Sequence, residues 1–367
     1  MTSRCRLLLP ARGRRAALVA VLALAFLALP LPRDGTKVLA ADDACPEQNG
    51  TYQQACLLPP NVGENSFLSS PDDVDFFRIE VLDFGVTANV ELTQAPRPYR
   101  MTVRDWEGTQ VAIAEMLPND DIQRTVQFKP KAPGSFYVLV DPLFDDADAV
   151  SPTEPYTIQY KPVYPGPTPK VSYSADFRQA SREFAGSKEW GTYSTKDGKY
   201  QVELTNGGQP GSAAVAVAWW PDSYRDFTMV ADVRLTAVGQ DAGFAIGFRG
   251  MPHDPNEKLR DDQVDLRSAY MLLASTSTLQ LELLKLVDDK PEVLVPWRAM
   301  RSLRTSDQIN HVVIRSFGAQ HIININGEEV LNLNDPALQE GRLILGALSF
   351  GEPVTVIYDN LLVISPQ

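Results

Sequence analysis

The sequence predicts an all-β protein built as two β-sandwich domains. Three observations predict it: apolar and polar residues alternate at a period of two through most of the chain, clusters of Gly, Pro, Asp and Asn separate these runs, and no long stretch repeats at helical spacing. The pattern is plainest at 226–250, DFTMVADVRLTAVGQDAGFAIGFRG. Phe227, Met229, Ala231, Val233 and Leu235 share one face of the first run, and Phe244, Ile246 and Phe248 share one face of the second, with a Gly-Gln-Asp-Ala-Gly turn between them. Successive strand residues point to opposite faces, so each run is a strand with one buried side.

The elements follow in order. Arg4, Arg6, Arg12, Arg14 and Arg15 precede an uncharged run from Ala16 to Leu29. Those fourteen residues fall short of the roughly 20 that span a bilayer and suit the core of a signal peptide. Small residues at Val38-Leu39-Ala40 place cleavage after Ala40, with an uncleaved anchor as the alternative. Arg14-Arg15 resembles a twin-arginine export signal without its usual continuation. The expected location is secreted or cell-envelope associated, with no membrane insertion after cleavage. Residues 1–40 hold seven basic and one acidic side chain, so a chain of net charge -12 becomes -18 without them. That acidity repels phosphate backbones and anionic headgroups and excludes nucleic acid as an expected partner.

Removal of 1–40 takes Cys5 and leaves Cys45 and Cys56, an even pair expected to form a disulfide that ties down the segment 41–60. Their spacing fits neither a CxxC redox motif nor common zinc sites. Asn49-Gly50-Thr51 is a glycosylation sequon inside that loop.

Residues 61–160 form the first sandwich, with strands expected at Phe76 to Leu82, Thr87 to Thr93, Tyr99 to Asp105, TVQFKP, Ser135 to Asp141 and Pro155 to Tyr160. Residues 161–170, KPVYPGPTPK, have four prolines in ten positions and read as a semi-rigid linker. Residues 171–367 form the second sandwich. Its strands are expected at Lys199 to Thr205, Ala213 to Trp219, the two runs above, Ala269 to Ser275, Leu279 to Leu286, His311 to Phe317, His321 to Asn326, EVLNL, RLILGALS and Val354 to Ile364. Asn326-Gly327 between two of these runs signals a tight hairpin. So many antiparallel strands without intervening helices favour a jelly roll.

Two resemblances attach to these units. Asp73-Val74-Asp75-Phe76-Phe77, Val103-Arg104-Asp105, the run Gly134 to Val140 and Pro155-Tyr156-Thr157-Ile158 resemble the bacterial pre-peptidase C-terminal (PPC) domain. That resemblance implies a non-catalytic accessory module. Asp176-Phe177, Trp190, Gly198-Lys199-Tyr200, Asp226-Phe227, the run Gly243 to Arg249, Asn326-Gly327 and Tyr358-Asp359-Asn360-Leu361 are similar to concanavalin A-like (LamG-like) domains. The nearest branch is related to 3-keto-disaccharide hydrolases and family-sixteen glycoside hydrolases. The fold it implies is a concanavalin A-like jelly roll, which hosts lectins, hydrolases and adhesion modules alike.

The chemistry is weighed residue by residue. A retaining glycosidase needs two carboxylates about 5 to 5.5 Å apart, and the Glu-x-Asp-x-x-Glu run that supplies them in the family-sixteen enzymes is absent. Asp232 and Arg234 read as a salt-bridge pair, and Glu282 stands alone among leucines. His253 lies in a loop, whereas His311 and His321 open apolar strands, where surface or edge positions are expected. Sugar recognition needs an aromatic face with polar groups beside it. Trp219 and Trp220, followed by Tyr224 and joined by Arg249, His253 and Asp254 from the neighbouring strand, are the expected ligand-binding set; Trp190, Tyr193 and Trp297 read as core or lid packing. Calcium is the one cofactor to consider, at Asp72, Asp73 and Asp75, at Asp141, Asp145, Asp146 and Asp148, or shared by Asp176 and Asp359. The expectation is an exported, non-catalytic binding protein for an extracellular glycan or cell-surface polymer. A divergent glycoside hydrolase or 3-keto-disaccharide hydrolase-like enzyme is the alternative, and a structural or adhesion module of the envelope the third.

Overall fold

The computed structural model describes residues 45, 49–83, 85–115, 123–131, 133–144, 150–175, 177, 186–188, 191–205, 214–238, 242–252 and 266–366. The described secondary structure is all β, arranged as two sandwiches. The segment 1–40 expected to be a signal peptide, Trp190, the aspartates at 145, 146, 148 and 176, and His253 and Asp254 lie outside the described residues.

The first sandwich holds β1 (Cys56–Leu57), β2 (Gly63–Leu68), β3 (Asp75–Val81), β4 (Thr87–Thr93), β5 (Tyr99–Asp105), β6 (Gln110–Glu115), β7 (Gln123–Phe128), β8 (Gly134–Pro142) and β9 (Ser151–Val163). They form a five-stranded sheet in the order β1-β3-β8-β5-β6 and a four-stranded sheet in the order β2-β9-β4-β7. Alternation works as expected: β4 buries Ala88, Val90 and Leu92 between half-exposed neighbours. These side chains meet Phe77, Ile79, Tyr156 and Ile158 in one core. A disulfide joins Cys45 to Cys56. Asn49 is buried beneath it, donating to Asp75 Oδ1 at 2.7 Å, so the sequon amide is committed to the core. Asp75 Oδ2 accepts further from Ser66 Oγ and Tyr156 OH. Burial pushes the Asp75 carboxyl up to about 7 against those donors.

The second sandwich holds β10 (Lys170–Ala175), β11 (Gly186–Lys188), β12 (Gly191–Lys196), β13 (Lys199–Leu204), β14 (Ala214–Tyr224), β15 (Phe227–Val238), β16 (Ala242–Pro252), β17 (Leu266–Ser275), β18 (Gln280–Val287), β19 (Lys290–Ala299), β20 (Asn310–Phe317), β21 (Gln320–Ile325), β22 (Glu328–Asn334), β23 (Gly341–Ser349) and β24 (Val354–Ser365). The nine-stranded sheet runs β11-β12-β13-β24-β15-β20-β21-β22, with β10 also on β24; the six-stranded sheet runs β14-β23-β16-β17-β18-β19. The two apolar runs at 227–248 divide between the sheets, β15 in one and β16 in the other. All eight inward residues named from the sequence lie in the shared core. Asn326 and Gly327 both take positive φ in the turn between β21 and β22.

Several strands escape the period-of-two reading. β19 carries Pro291 and Pro296, which suits an edge because no ladder partner awaits the missing N–H. β6 is likewise an edge, and its alanines make a weak apolar signal. Of the proline-rich stretch 161–170, the first three residues continue β9 and Lys170 starts β10.

The five-stranded sheet of the first sandwich lies against the nine-stranded sheet of the second. Leu57 packs there with Val230, Val313, Leu362 and Ile364. At one side the Trp106 ring lies on Gly327, where an added Cβ would come within 3.0 Å of it.

Candidate functional site

Three places bring polar chemistry together. The first is a buried charge cluster between the sandwiches. β3 supplies Arg78 and Glu80, β15 supplies Asp232 and β20 supplies His311, all at most 5% exposed. Arg78 Nη1 donates to both oxygens of Asp232, at 2.8 and 2.9 Å. His311 Nδ1 lies 2.8 Å from Asp232 Oδ1 and its Nε2 lies 2.8 Å from Glu80 Oε1. Asn360 Nδ2 donates to Asp232 Oδ2, and Ser135 Oγ to Glu80 Oε2. Asn360 reaches this point because a bulge puts it in the left-handed region, with Asn360 and Leu361 opposing Ala231 alone. Burial opposes ionisation of both carboxylates, but Arg78 and His311 outweigh it, and both are held below the usual range. Burial and Arg78 push His311 down; Glu80 and Asp232 outweigh them and raise it. His311 is therefore no surface residue, and Asp232 pairs with Arg78 of the other sandwich in place of Arg234.

Beside the cluster a cleft of about 880 Å³ opens between residues 53–59 and the β15–β24 surface, lined among others by Arg234, Asp232, Lys199, Asp359 and Asn360. Asp359 forms an ion pair with Lys199. Burial raises the Asp359 carboxyl, with Lys199 working against it. Among the described residues the only aromatic ring in the lining is Phe77, which is fully buried and offers no face to a sugar.

The third place is the face of the six-stranded sheet turned away from the core. Leu281 and Leu283 point into the core, so Glu282 between them points outward. Ala245, Ala269, Met271, Leu273, Ile344 and Leu348 form an apolar layer on this face, joined by half-buried Trp297 and Phe350. Trp297 and Phe350 meet edge to face at 6.1 Å. The ladder pairs Leu281 with Arg298 and Leu283 with Val295, so a bulge sets Glu282 opposite Pro296 and Trp297. Glu282 is half-buried, and burial alone raises its carboxyl. Among the described carboxylates with a displaced pKa it is the one without a hydrogen-bond donor or cation. Sequence reading set Trp297 aside as packing and Glu282 as solitary. The usable signal was their joint placement on the outer face, which depends on the β19 edge and its bulge.

Of the residues expected to bind ligand, Tyr224 and Arg249 are buried in the core. Register sets Trp219 opposite Ile344 on β23, and Trp220 follows it on β14. Tyr224 stands six residues after inward-facing Ala218, so across the register shift between Trp219 and Ser223 it keeps the inward side and is buried against Phe227. Arg249 is wholly buried. It takes positive φ at a bulge in β16, and its guanidinium donates to the carbonyls of Gly318, Leu338 and Arg225 at 2.7, 2.6 and 2.9 Å. Strand alternation sends it outward; the bulge turns it in. His321 is also buried, between Phe248 and Tyr270, and burial lowers it to about 4. Among the described residues no three His, Cys, Asp or Glu side chains are grouped to hold a metal. Asp73 accepts from Ser69 and Asp141 pairs with Arg100.

No family model matches the chain, and no curated protein matches it. Solved structures similar to it include carbohydrate binding module CBM66 from Bacillus subtilis, at 16% identity and TM-score 0.36, over 49% of this chain and 99% of that one. A protein of unknown function with a galectin-like fold from Bacillus subtilis is similar at 16% identity and TM-score 0.41, over 55% and 100%. The catalytic domain of an endo-1,3-beta-glucanase (laminarinase) from Thermotoga petrophila is similar at 9% identity and TM-score 0.39, over 55% and 100%. At these identities the likeness does not extend to the residues of a site.

Proposed function

We propose that the chain is an exported, non-catalytic glycan-binding protein that holds sugar on the outer face of the six-stranded sheet, with the first sandwich as an accessory. The observation that carries this reading is half-buried Trp297 beside the donor-free carboxyl of Glu282. An indole face stacks on the C–H side of a pyranose, and a carboxylate without a protein donor accepts from its hydroxyls. β14, which carries Trp219 and Trp220, and β19, which carries Trp297, are the two edges of this sheet.

Electrophoresis through gels containing soluble polysaccharides tests it. Retardation by a subset of polymers is expected, with Trp297→Ala weakening binding about tenfold or more, ~1.4 kcal/mol, and Glu282→Gln weakening it less. Trp219→Ala and Trp220→Ala decide whether the far edge takes part. Unchanged retardation in Trp297→Ala would move the site elsewhere. One observation favours a hydrolase: a carboxyl raised by burial, as in Glu282, suits a general acid. Released sugar would decide for that reading.

A further inference from the structure

The cluster between the sandwiches combines aligned hydrogen bonds on Asp232 with close ion pairs on Glu80 that lack alignment. Arg78 Nε and Nη2, Glu80 Oε1 and His311 Nε2 are buried without an aligned partner, although Arg78 Nε and His311 Nε2 lie 3.0 and 2.8 Å from Glu80 Oε1. Both nitrogens of His311 face carboxylate oxygens. A neutral imidazole has one N–H and one lone pair, so whichever nitrogen kept the proton, the other would set its lone pair against a carboxylate. With the imidazolium the four groups sum to zero: Arg78 and His311 against Glu80 and Asp232. Without it they sum to minus one in a buried setting, the situation a low-dielectric interior penalises most.

We propose that this cluster is a proton-operated latch: with both ring nitrogens of His311 protonated the two sandwiches are held as one body, and loss of that proton releases them from each other. The groups facing His311 are Arg78 and Glu80 on β3 and Asp232 on β15, and Tyr137 on β8 acts on all three of these. Asp359 on β24, Arg304 before β20 and Arg315 on β20 act on the same carboxylates or on Tyr137 from farther out. Tyr137 is raised by burial. His311 is the group whose proton balances the two carboxylates against Arg78. The carboxylates, held low, keep the latch shut on the acid side. The apolar part of the contact includes Leu57, Val230, Val313, Leu362 and Ile364 with Leu82 and Val171 beside them, and Trp106 on Gly327 at one side.

Small-angle X-ray scattering of the chain between pH 6 and 10.5, with far-UV circular dichroism at each point, tests the latch. The expected result is a constant radius of gyration near neutrality and a reversible increase at alkaline pH, with strand content unchanged. Glu80→Gln removes one negative charge, so Arg78 and Asp232 balance beside a neutral imidazole, and the increase should vanish. His311→Gln should be expanded already at pH 7. If that variant fails to fold, the wild-type titration and Glu80→Gln still decide. A radius constant to pH 10.5 in the wild type, or an alkaline expansion retained in Glu80→Gln, would overturn the proposal.

Discussion

Replacing Arg249 with methionine separates the structural account of that residue from a ligand-binding one. Arg249 makes three charge-assisted donations to carbonyls, each worth roughly 1.5–3 kcal/mol. Against them stands the cost of dehydrating a cation whose nearest carboxylate contact is Asp226 at 3.8 Å; burial lowers its pKa accordingly. That cost is several kcal/mol. The Leu338 carbonyl is bound in fully buried surroundings, whereas those of Gly318 and Arg225 belong to exposed residues and can turn to water. The net loss for Arg249→Met is therefore about 2–4 kcal/mol, below the full worth of three bonds. A loss of about 3 kcal/mol corresponds to a fall of roughly 6–12 °C in the melting temperature of a unit this size. Urea and thermal unfolding would read it, with polysaccharide retardation of the folded variant measured in parallel. Unchanged stability with lost binding would refute the reasoning and return Arg249 to the ligand.

Three further outcomes follow from buried groups. Tyr358 OH lies within donating reach of the carbonyls of Ala245 and Gly346, which share its one proton, and accepts from the Gly346 amide, linking the two sheets of the second sandwich; Tyr358→Phe should cost about 1–3 kcal/mol in urea unfolding. The folded Asp75 pKa of about 7 lies above its ordinary 3.8. Its protonated form is thus favoured in the native state: the contribution is complete below pH 3.8 and is lost as pH rises through about 7. Relative to Asp75→Asn, wild-type stability should fall over that window by up to ~4 kcal/mol, and a flat difference would contradict the burial argument. Replacing Cys45 and Cys56 with serine opens a loop of sequence separation 11 and should cost about 3 kcal/mol on the chain-entropy account, seen as a lower denaturation midpoint under non-reducing conditions.

Much of the fold was legible because it rests on local alternation. Phe227 to Leu235 and Phe244 to Phe248 state their buried faces outright, and Asn326-Gly327 states its turn. Edge strands were hard to read: Pro291, Pro296 and the alanines of β6 suppress the pattern that marks a strand. The site was less legible still, because bulges reset the alternation at the positions that matter. Arg249 turns inward and Asn360 turns toward Asp232, each beside a register shift. The partner of Asp232 lies 154 residues away in the other sandwich, a distance no spacing rule covers. Glu282 looked solitary for the opposite reason: its neighbour Trp297 sits on a strand that the sequence did not announce.

The measurement that bears most directly on the account is a single incubation of the chain with a panel of polysaccharides, scored for both retention and released sugar, in wild type and Trp297→Ala. The account predicts retention on a subset of polymers, no products, and loss of retention in the variant. Released sugar, or retention indifferent to Trp297, would contradict it.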